Sequence, residues 1–238
     1  MTWANKTVRE FQDALASDAP TPGGGSAVGV ALGQAAALAI MVSDLTLSKK
    51  AHESGWKIAN QVKAVAISLL DEGLQLATED SDSFDAVVAS FRLPKTTEQE
   101  KNDRRDSIRT ATLGAAVVPY RTAEAAMSLL KLLPELTEKG NPNAASDAGV
   151  AGLLASAALK GAIFNVQINL ESLPESYGVE MRTSLPTLIE DGRIYSRKGM
   201  DAVRIQLSNQ CAGFYFSVDG NQLNVARFIV SSEHHTLT

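Results

Sequence analysis

Apolar positions recur three and four residues apart through most of this 238-residue chain. That spacing puts them on one face of an α-helix. Val8, Phe11 and Leu15 form the first such stripe, and Thr7 and Glu10 stand before it at capping-box spacing, so a helix is predicted over 7–16. Pro20 and Pro22 then exclude helix. Gly23, Gly24 and Gly25 make a turn that opens an uncharged run from Ser26 to Ser43, in which Gln34 is the one large polar side chain. The run predicts a buried helix ending near Lys49 and Lys50, cations suited to the negative end of its dipole. Helix is next predicted over 53–77, with Ile58, Val62, Val65 and Leu69 on one face, and again over 80–91, with Phe84, Val87, Val88 and Phe91 apolar. Leu93-Pro94-Lys95 breaks the chain. Thr97 and Glu100 repeat the capping-box spacing and lead through Ile108, Leu113 and Val117 to Pro119. The helical pattern resumes from Tyr120 to Leu133, so Pro119 predicts a kink rather than an end. Gly140 closes this segment, Asn141-Pro142-Asn143 turns, and a long apolar helix is predicted from about Ala144 to Asn169 or beyond.

The pattern then changes. Gly192, Gly199 and Gly213 interrupt it, and the β-prone runs 214–218 and 223–230 flank Asp219-Gly220-Asn221-Gln222, which reads as a hairpin. The expected fold is all-α. It is a bundle of long antiparallel helices in one domain over 1–208, followed by a divergent tail over 209–238 that forms a β-hairpin or an irregular end. Gly25, Gly29 and Gly33 recur every four residues and Ala37 continues the row. Such a face lets another backbone come very near, from a neighbouring helix or from a dimer mate. The same spacing and length occur in membrane helices. Here the run is built from Ala and Gly and is flanked by Asp44, so it reads as a core helix, and no membrane partner is expected.

Composition narrows the classes. A net charge of −5 gives no argument for nucleic acid. The N-terminus has no basic region followed by an apolar segment, so no secretory signal is expected. The single cysteine, Cys211, cannot pair within the chain and fits a reducing cytoplasm. Three histidines, two of them the terminal His234-His235 pair, argue against a His-rich zinc site.

The glycine turn offers free backbone N–H groups at a helix N-terminus, a place for an anion or a carbonyl. It lacks the Gly-Lys-Ser/Thr of a P-loop and the preceding strand of a dinucleotide fingerprint. Asp80 is the carboxylate best placed for chemistry. Phe84 lies one turn on, and an acid held beside an aromatic in an apolar setting can exchange protons near neutrality. The alternative is that Asp80 caps the helix beginning there. Asn165 and Asn169 are one turn apart on an apolar helix, where they bond either a heterocycle or neighbouring helices. Asn141, Ser146 and Asp147 form a polar knot at a helix start, where capping accounts for Ser146 or Asp147. Lys49, Lys50 and Lys95 suit an acidic substrate or are solvated surface.

Taken in order, Pro20-Thr21-Pro22-Gly23-Gly24-Gly25-Ser26, Leu45-Thr46-Leu47-Ser48-Lys49-Lys50, Asp80 with Phe84, Leu93-Pro94-Lys95, Val118-Pro119, Gly140-Asn141 with Ser146-Asp147, and Asn165-Val166-Gln167-Ile168-Asn169-Leu170 resemble the formimidoyltetrahydrofolate cyclodeaminase and methenyltetrahydrofolate cyclohydrolase family. The resemblance covers roughly Val8 to Leu173. It implies a helical fold that dimerises, a folate substrate in a cleft near the dimer interface, and neither metal nor redox cofactor. Carried over by position, it makes Asp80 the proton-transfer residue. Gly23, Gly24, Gly25, Ser26, Asn141, Asp147 and Asn165 would line the pterin and one-carbon site with Phe84, and Lys49, Lys50 and Lys95 would meet the glutamate tail. The standalone length and the wording around Lys49-Lys50 and Ser146-Asp147 lean toward cyclohydrolase. Cyclodeaminase is the alternative, followed by a non-catalytic folate binder or a helical interaction scaffold. The family's helical C-terminus is not recognisable after about Ile194.

Overall fold

The computed structural model of the chain describes residues 2–211, 214–219 and 222–227. A 3-10 turn, Trp3–Asn5, precedes α1 (Val8–Leu15). Thr7 and Glu10 close the expected capping box, with the Glu10 N–H donating to Thr7 Oγ1 at 3.2 Å. α2 runs over Gly24–Leu47 with Gly23 as its N-cap, so the helix begins as soon as the prolines allow.

α3 is one helix from Trp56 to Phe91, where two segments were expected. The stretch 77–81 has no residue that stops a helix. Ser81, Ser83 and Ser90 lie inside α3, and the hydroxyls of Ser83 and Ser90 fold back onto carbonyls three residues earlier. Asp80 is therefore a helix-interior residue and caps nothing. α4 (Glu98–Leu130) opens with the second capping box, Thr97 and Glu100, and runs through Pro119. A separate short helix, α5 (Leu133–Lys139), starts with Pro134 in its first turn. Asn141 then caps a 3-10 turn over Pro142–Ala144, and α6 (Ala145–Glu171) follows. Its N-cap is Ala144, so neither Ser146 nor Asp147 has the capping role expected of it.

α7 (Val179–Cys211) continues well beyond Ile194, through both Gly192 and Gly199 and across the expected boundary at 208/209. At Gly192 a Cβ would come within 2.6 Å of Leu159 Cδ2. The glycine is a contact point on α6, not an interruption. Beyond it, β1 (Phe214–Asp219) pairs antiparallel with β2 (Gln222–Arg227) in the expected hairpin. The expected turn residues Gly220 and Asn221, and 228–230 of the second run, lie outside the described residues.

α2 lies against α3 and α6, α4 lies against the same two, and α7 and α5 cover the outer side of α6. The core between them is small and regular. Leu32, Ala35, Ala36 and Ala39 from α2 meet Ile58, Val62, Ala66 and Leu69 from α3, with Ala123, Leu130, Ala155, Leu159 and Val166 closing the far side. The glycine row is used inside the chain. A Cβ on Gly29 would stand 2.7 Å from the Ala77 nitrogen and the Gly73 oxygen, and one on Gly73 would meet the Gly29 oxygen and the Gly33 nitrogen at 2.7 Å. Three glycines on two helices thus let α2 and α3 touch backbone to backbone, and the partner that the row anticipated is α3.

α2 and the Pro142–Glu171 segment are each long and apolar enough to cross a membrane, but half of each such window is buried in the bundle. The outer stripe of both helices stays apolar and open. Met41 and Leu45 on α2 are exposed, as are Val150 and Leu153 on α6, and Phe164 and Ile168 are 68% and 67% exposed.

Candidate functional site

The contact of α2 with α3 brings the glycine turn to Asp80. A Cβ on Gly25 would overlap the Asp80 carboxylate, at 2.0 Å from Oδ1 and 2.5 Å from Oδ2. Glycine at 25 is thus required by the acid's own side chain. The buried Ser26 hydroxyl donates to Asp80 Oδ2 at 3.1 Å, and Ser26 Oγ lies 2.9 Å from Ser81 Oγ. Gly23, as N-cap, supplies no side chain to the first turn of α2, so the N–H groups there remain for a carboxylate or a ligand. Burial pushes the Asp80 carboxyl above the ordinary range, against the opposing pull of hydrogen bonds from the Ser26 side chain and backbone. Desolvation penalises the charged form more than these donors stabilise it.

Around the acid is a cleft of about 200 Å³, lined by Pro20, Thr21, Gly23, Gly24, Gly25, Asp80, Ser83, Phe84, Ala115, Asn165 and Asn169. Phe84 is 44% exposed and presents its ring on the same side as Asp80. Asn165 Nδ2 donates to the Gly161 carbonyl at 2.8 Å, and Asn169 Nδ2 donates to the Ala115 and Asn165 carbonyls at 2.9 Å each. Asn169 thus has both amide hydrogens on carbonyls and Asn165 has one of its two there, so these residues offer the cleft their side-chain oxygens and the remaining Asn165 N–H. The cleft therefore presents two neutral amide oxygens, one amide N–H, one carboxyl that can hold or release a proton, backbone donors and an aromatic face. That set suits a flat heterocycle bearing N–H donors with its reacting carbon beside Asp80.

Of the residues singled out in the sequence, Gly23, Gly24, Gly25, Ser26, Asp80, Phe84, Asn165 and Asn169 gather here. The others do not. Lys49, Lys50, Asn141 and Asp147 lie at the opposite end of α2, whose 24 residues put them about 35 Å away. There the Asn141 N–H donates to Thr46 Oγ1 at 3.0 Å and its side chain caps the turn at Asn143, so it ties α6 to the end of α2. Lys95 is exposed in the α3–α4 loop, beyond the last turns of α3. Ser83 and Ala115 of the lining escaped the sequence reading, as did Trp3 and Ser81 behind it. The Trp3 indole N–H donates to Ser81 Oγ at 3.0 Å across 78 residues of chain, a relation that no local spacing encodes. Among the described residues, no group of three or more His, Cys, Asp and Glu is placed to hold a metal ion. A larger cleft of about 460 Å³ between α5, α6 and α7 holds none of the singled-out residues, and its Asp201 is paired with Arg197 and Arg204.

The chain is similar to known proteins in sequence and in fold. The model of the formiminotransferase-cyclodeaminase family matches residues 7–184. A methenyltetrahydrofolate cyclohydrolase of Methylorubrum extorquens is 38% identical over 178 residues, covering 75% of this chain and 86% of that protein. The formimidoyltransferase-cyclodeaminase of Gallus gallus is 29% identical over 189 residues, 79% of this chain but 35% of that longer protein. The crystal structure of a formiminotetrahydrofolate cyclodeaminase from Thermotoga maritima superposes with a TM-score of 0.71 at 26% identity, covering 87% of this chain and 98% of that one. With a family model spanning most of the bundle and a relative this similar over most of its own length, the chain belongs to the formiminotransferase-cyclodeaminase family.

Proposed function

We propose that the protein is a methenyltetrahydrofolate cyclohydrolase that opens the bridge between two folate nitrogens with water, and that it works as a homodimer. The observation that carries the reading is a partly buried carboxyl with a raised proton affinity, set against a glycine turn in an otherwise neutral cleft. The cationic methenyl carbon is already electrophilic, so the protein need only direct water and move a proton. Asp80 as carboxylate takes a proton from the attacking water as its oxygen bonds to the bridging carbon. The neutral tetrahedral adduct then collapses. Its C–N5 bond breaks, N5 receives the proton from Asp80, and the adduct's hydroxyl proton leaves as the carbonyl forms. Cation plus water thus becomes the 10-formyl compound plus one proton. One group that accepts and returns the same proton suffices, and a rigid cleft holds the water in line. The similarity to a cyclohydrolase over 86% of its length favours this over the second reading, cyclodeaminase, which the Thermotoga structure favours and which passes through a tetrahedral carbon on the same bridge.

The dimer is supported by the open apolar stripes of α2 and α6, adjacent helices whose exposed side chains make one surface. It also gives a role to the site residues stranded at the far end. A second copy laid antiparallel along α2 would bring Lys49, Lys50 and Asp147 of one chain to the Asp80 cleft of the other, with the lysines meeting the glutamate tail.

Supplying purified protein with methenyl- and formimidoyl-tetrahydrofolate in parallel tests the activity. The expected result is opening of the methenyl compound well above its spontaneous rate, with little ammonia released from the formimidoyl compound. The reverse preference assigns the chain to the deaminases. Binding without turnover makes it a folate-binding protein, and no binding leaves the scaffold reading.

A further inference from the structure

Trp3 lies outside residues 7–184 of the family match, yet it is buried against the site. Its ring meets Phe11 edge-on with centroids 5.4 Å apart, and its backbone N–H donates to Thr78 Oγ1 at 3.1 Å. Its indole N–H donates to Ser81 Oγ at 3.0 Å, Ser81 Oγ lies 2.9 Å from Ser26 Oγ, and Ser26 donates to Asp80 Oδ2 at 3.1 Å. All three groups before the acid are buried.

The chemistry of the two ends fixes the direction of this chain. An indole nitrogen only donates, and an ionised carboxylate only accepts. Ser26 must therefore give its hydrogen to Asp80, Ser81 must give its own to Ser26, and Ser81 takes one from Trp3. Each hydroxyl donates once forward and accepts once from behind. In the reversed chain, a proton on Oδ2 would be donated to Ser26 and the Ser26 hydrogen would turn to Ser81. Ser81 would then accept from both Ser26 and Trp3, with its own hydrogen outside the chain. Trp3 disfavours that arrangement, and a hydrogen-bond chain polarised in one direction strengthens its last link.

We propose that Trp3 and Ser81 are positioning residues for Asp80: the indole N–H orients the two serine hydroxyls so that Oδ2 stays an acceptor and proton exchange with the substrate is confined to Oδ1. The inference rests on the reading of Asp80 as the proton-transfer group. Among the described residues that line the cleft, Asp80 is the only charged group. α2 presents Gly25 and Ser26 to the cleft, α4 presents Ala115, and α6 presents Asn165 and Asn169. On α3 itself, Glu79 is paired with Arg121 and Asp85 accepts from the Thr21 hydroxyl.

The test compares full-length Trp3→Phe, Ser81→Ala, Ser26→Ala and Asp80→Asn. Methenyltetrahydrofolate opening is followed against pH with the spontaneous rate subtracted, and melting is recorded for each. Trp3→Phe keeps the ring on Phe11 and removes only the donor. The acid-side limb of the rate profile is expected to move to higher pH in all three chain variants, least in Trp3→Phe and most in Ser26→Ala, by roughly 0.3–1 pH unit in total. Adding Trp3→Phe to Asp80→Asn should change the profile no further. A merely structural role lowers melting or rate and leaves the limb in place. If the limbs of Trp3→Phe and Ser81→Ala superimpose on the wild type while Asp80→Asn has lost its limb, the positioning role is overturned and the role of Asp80 stands. Asp80→Asn with an intact limb overturns both. Should Trp3→Phe fail to fold, Ser81→Ala decides.

Discussion

Asp80 is held in a conflict between its neighbours. Ser26 and the first turn of α2 favour its charged form, and burial, which favours the neutral one, prevails. A carboxyl whose proton affinity is raised by folding binds its proton more tightly folded than unfolded. Its favourable contribution is complete below the unfolded-state pKa and is lost as pH rises through the folded-state value. At neutral pH the charged carboxylate therefore costs stability. Asp80→Asn removes that charge and keeps the shape, so it should melt a few degrees above wild type at pH 7, the two converging as pH falls through the acid's raised folded-state pKa. The same variant should lose roughly a hundredfold or more in the opening of methenyltetrahydrofolate, with folate binding largely kept. Rising stability with falling activity is the expected signature. A variant that keeps more than about a third of the corrected rate would remove Asp80 from the chemistry.

Among the elements, the contact of α2 with α3 positions the site, and it depends on missing side chains. Gly29 and Gly73 face each other so closely that any side chain on Gly29 meets backbone, which cannot rotate away. Gly29→Leu is expected to destabilise by on the order of 1–3 kcal/mol or more, seen as a lower melting temperature with no change in mass by light scattering. A change of mass with melting unaffected would move the contact from within the chain to between chains. This contact also marks the limit of what the sequence makes legible. The helices were readable from their stripes, and Thr7 with Glu10 and Thr97 with Glu100 gave two of the starts, because a capping box is a local relation. Asp80 with Phe84 was readable for the same reason, one turn of one helix. The glycine row announced a close contact but not its partner, since Gly73 is a lone glycine in its own helix. No stop residue lies behind the break expected at 77–80, and at Gly192 a contact with Leu159 on α6 stands where the sequence shows only a helix-weakening glycine. Trp3 with Ser81 joins residues 78 positions apart, and only the fold brings them together.

At the scale of the whole molecule, the two ends of α2 divide the site residues expected from the sequence between them. The proposed dimer makes that division testable. In an isologous pair the two chains contribute equivalent surfaces, so each cleft would take its acid from one chain and its lysines from the other. A chain carrying Asp80→Asn is then defective in one half of the site, and a chain carrying Lys49→Glu with Lys50→Glu in the other half. Each alone should be slow at low substrate concentration. When the two are unfolded together and refolded, half of the dimers should be mixed. Each mixed dimer would hold one site with both defects and one with neither. The mixture should therefore recover about a quarter of the wild-type rate, far above the mean of the two parents. Recovery should fail when the chains are mixed without exchange, which controls for simple addition. It should also fail when Phe164→Glu is added to both chains, because a charge there opposes burial of the apolar stripe on which the pairing rests. If the refolded mixture shows only the average of its parents while light scattering reports dimers, each cleft is complete within one chain, and Lys49 and Lys50 are solvated surface at the far end of the bundle.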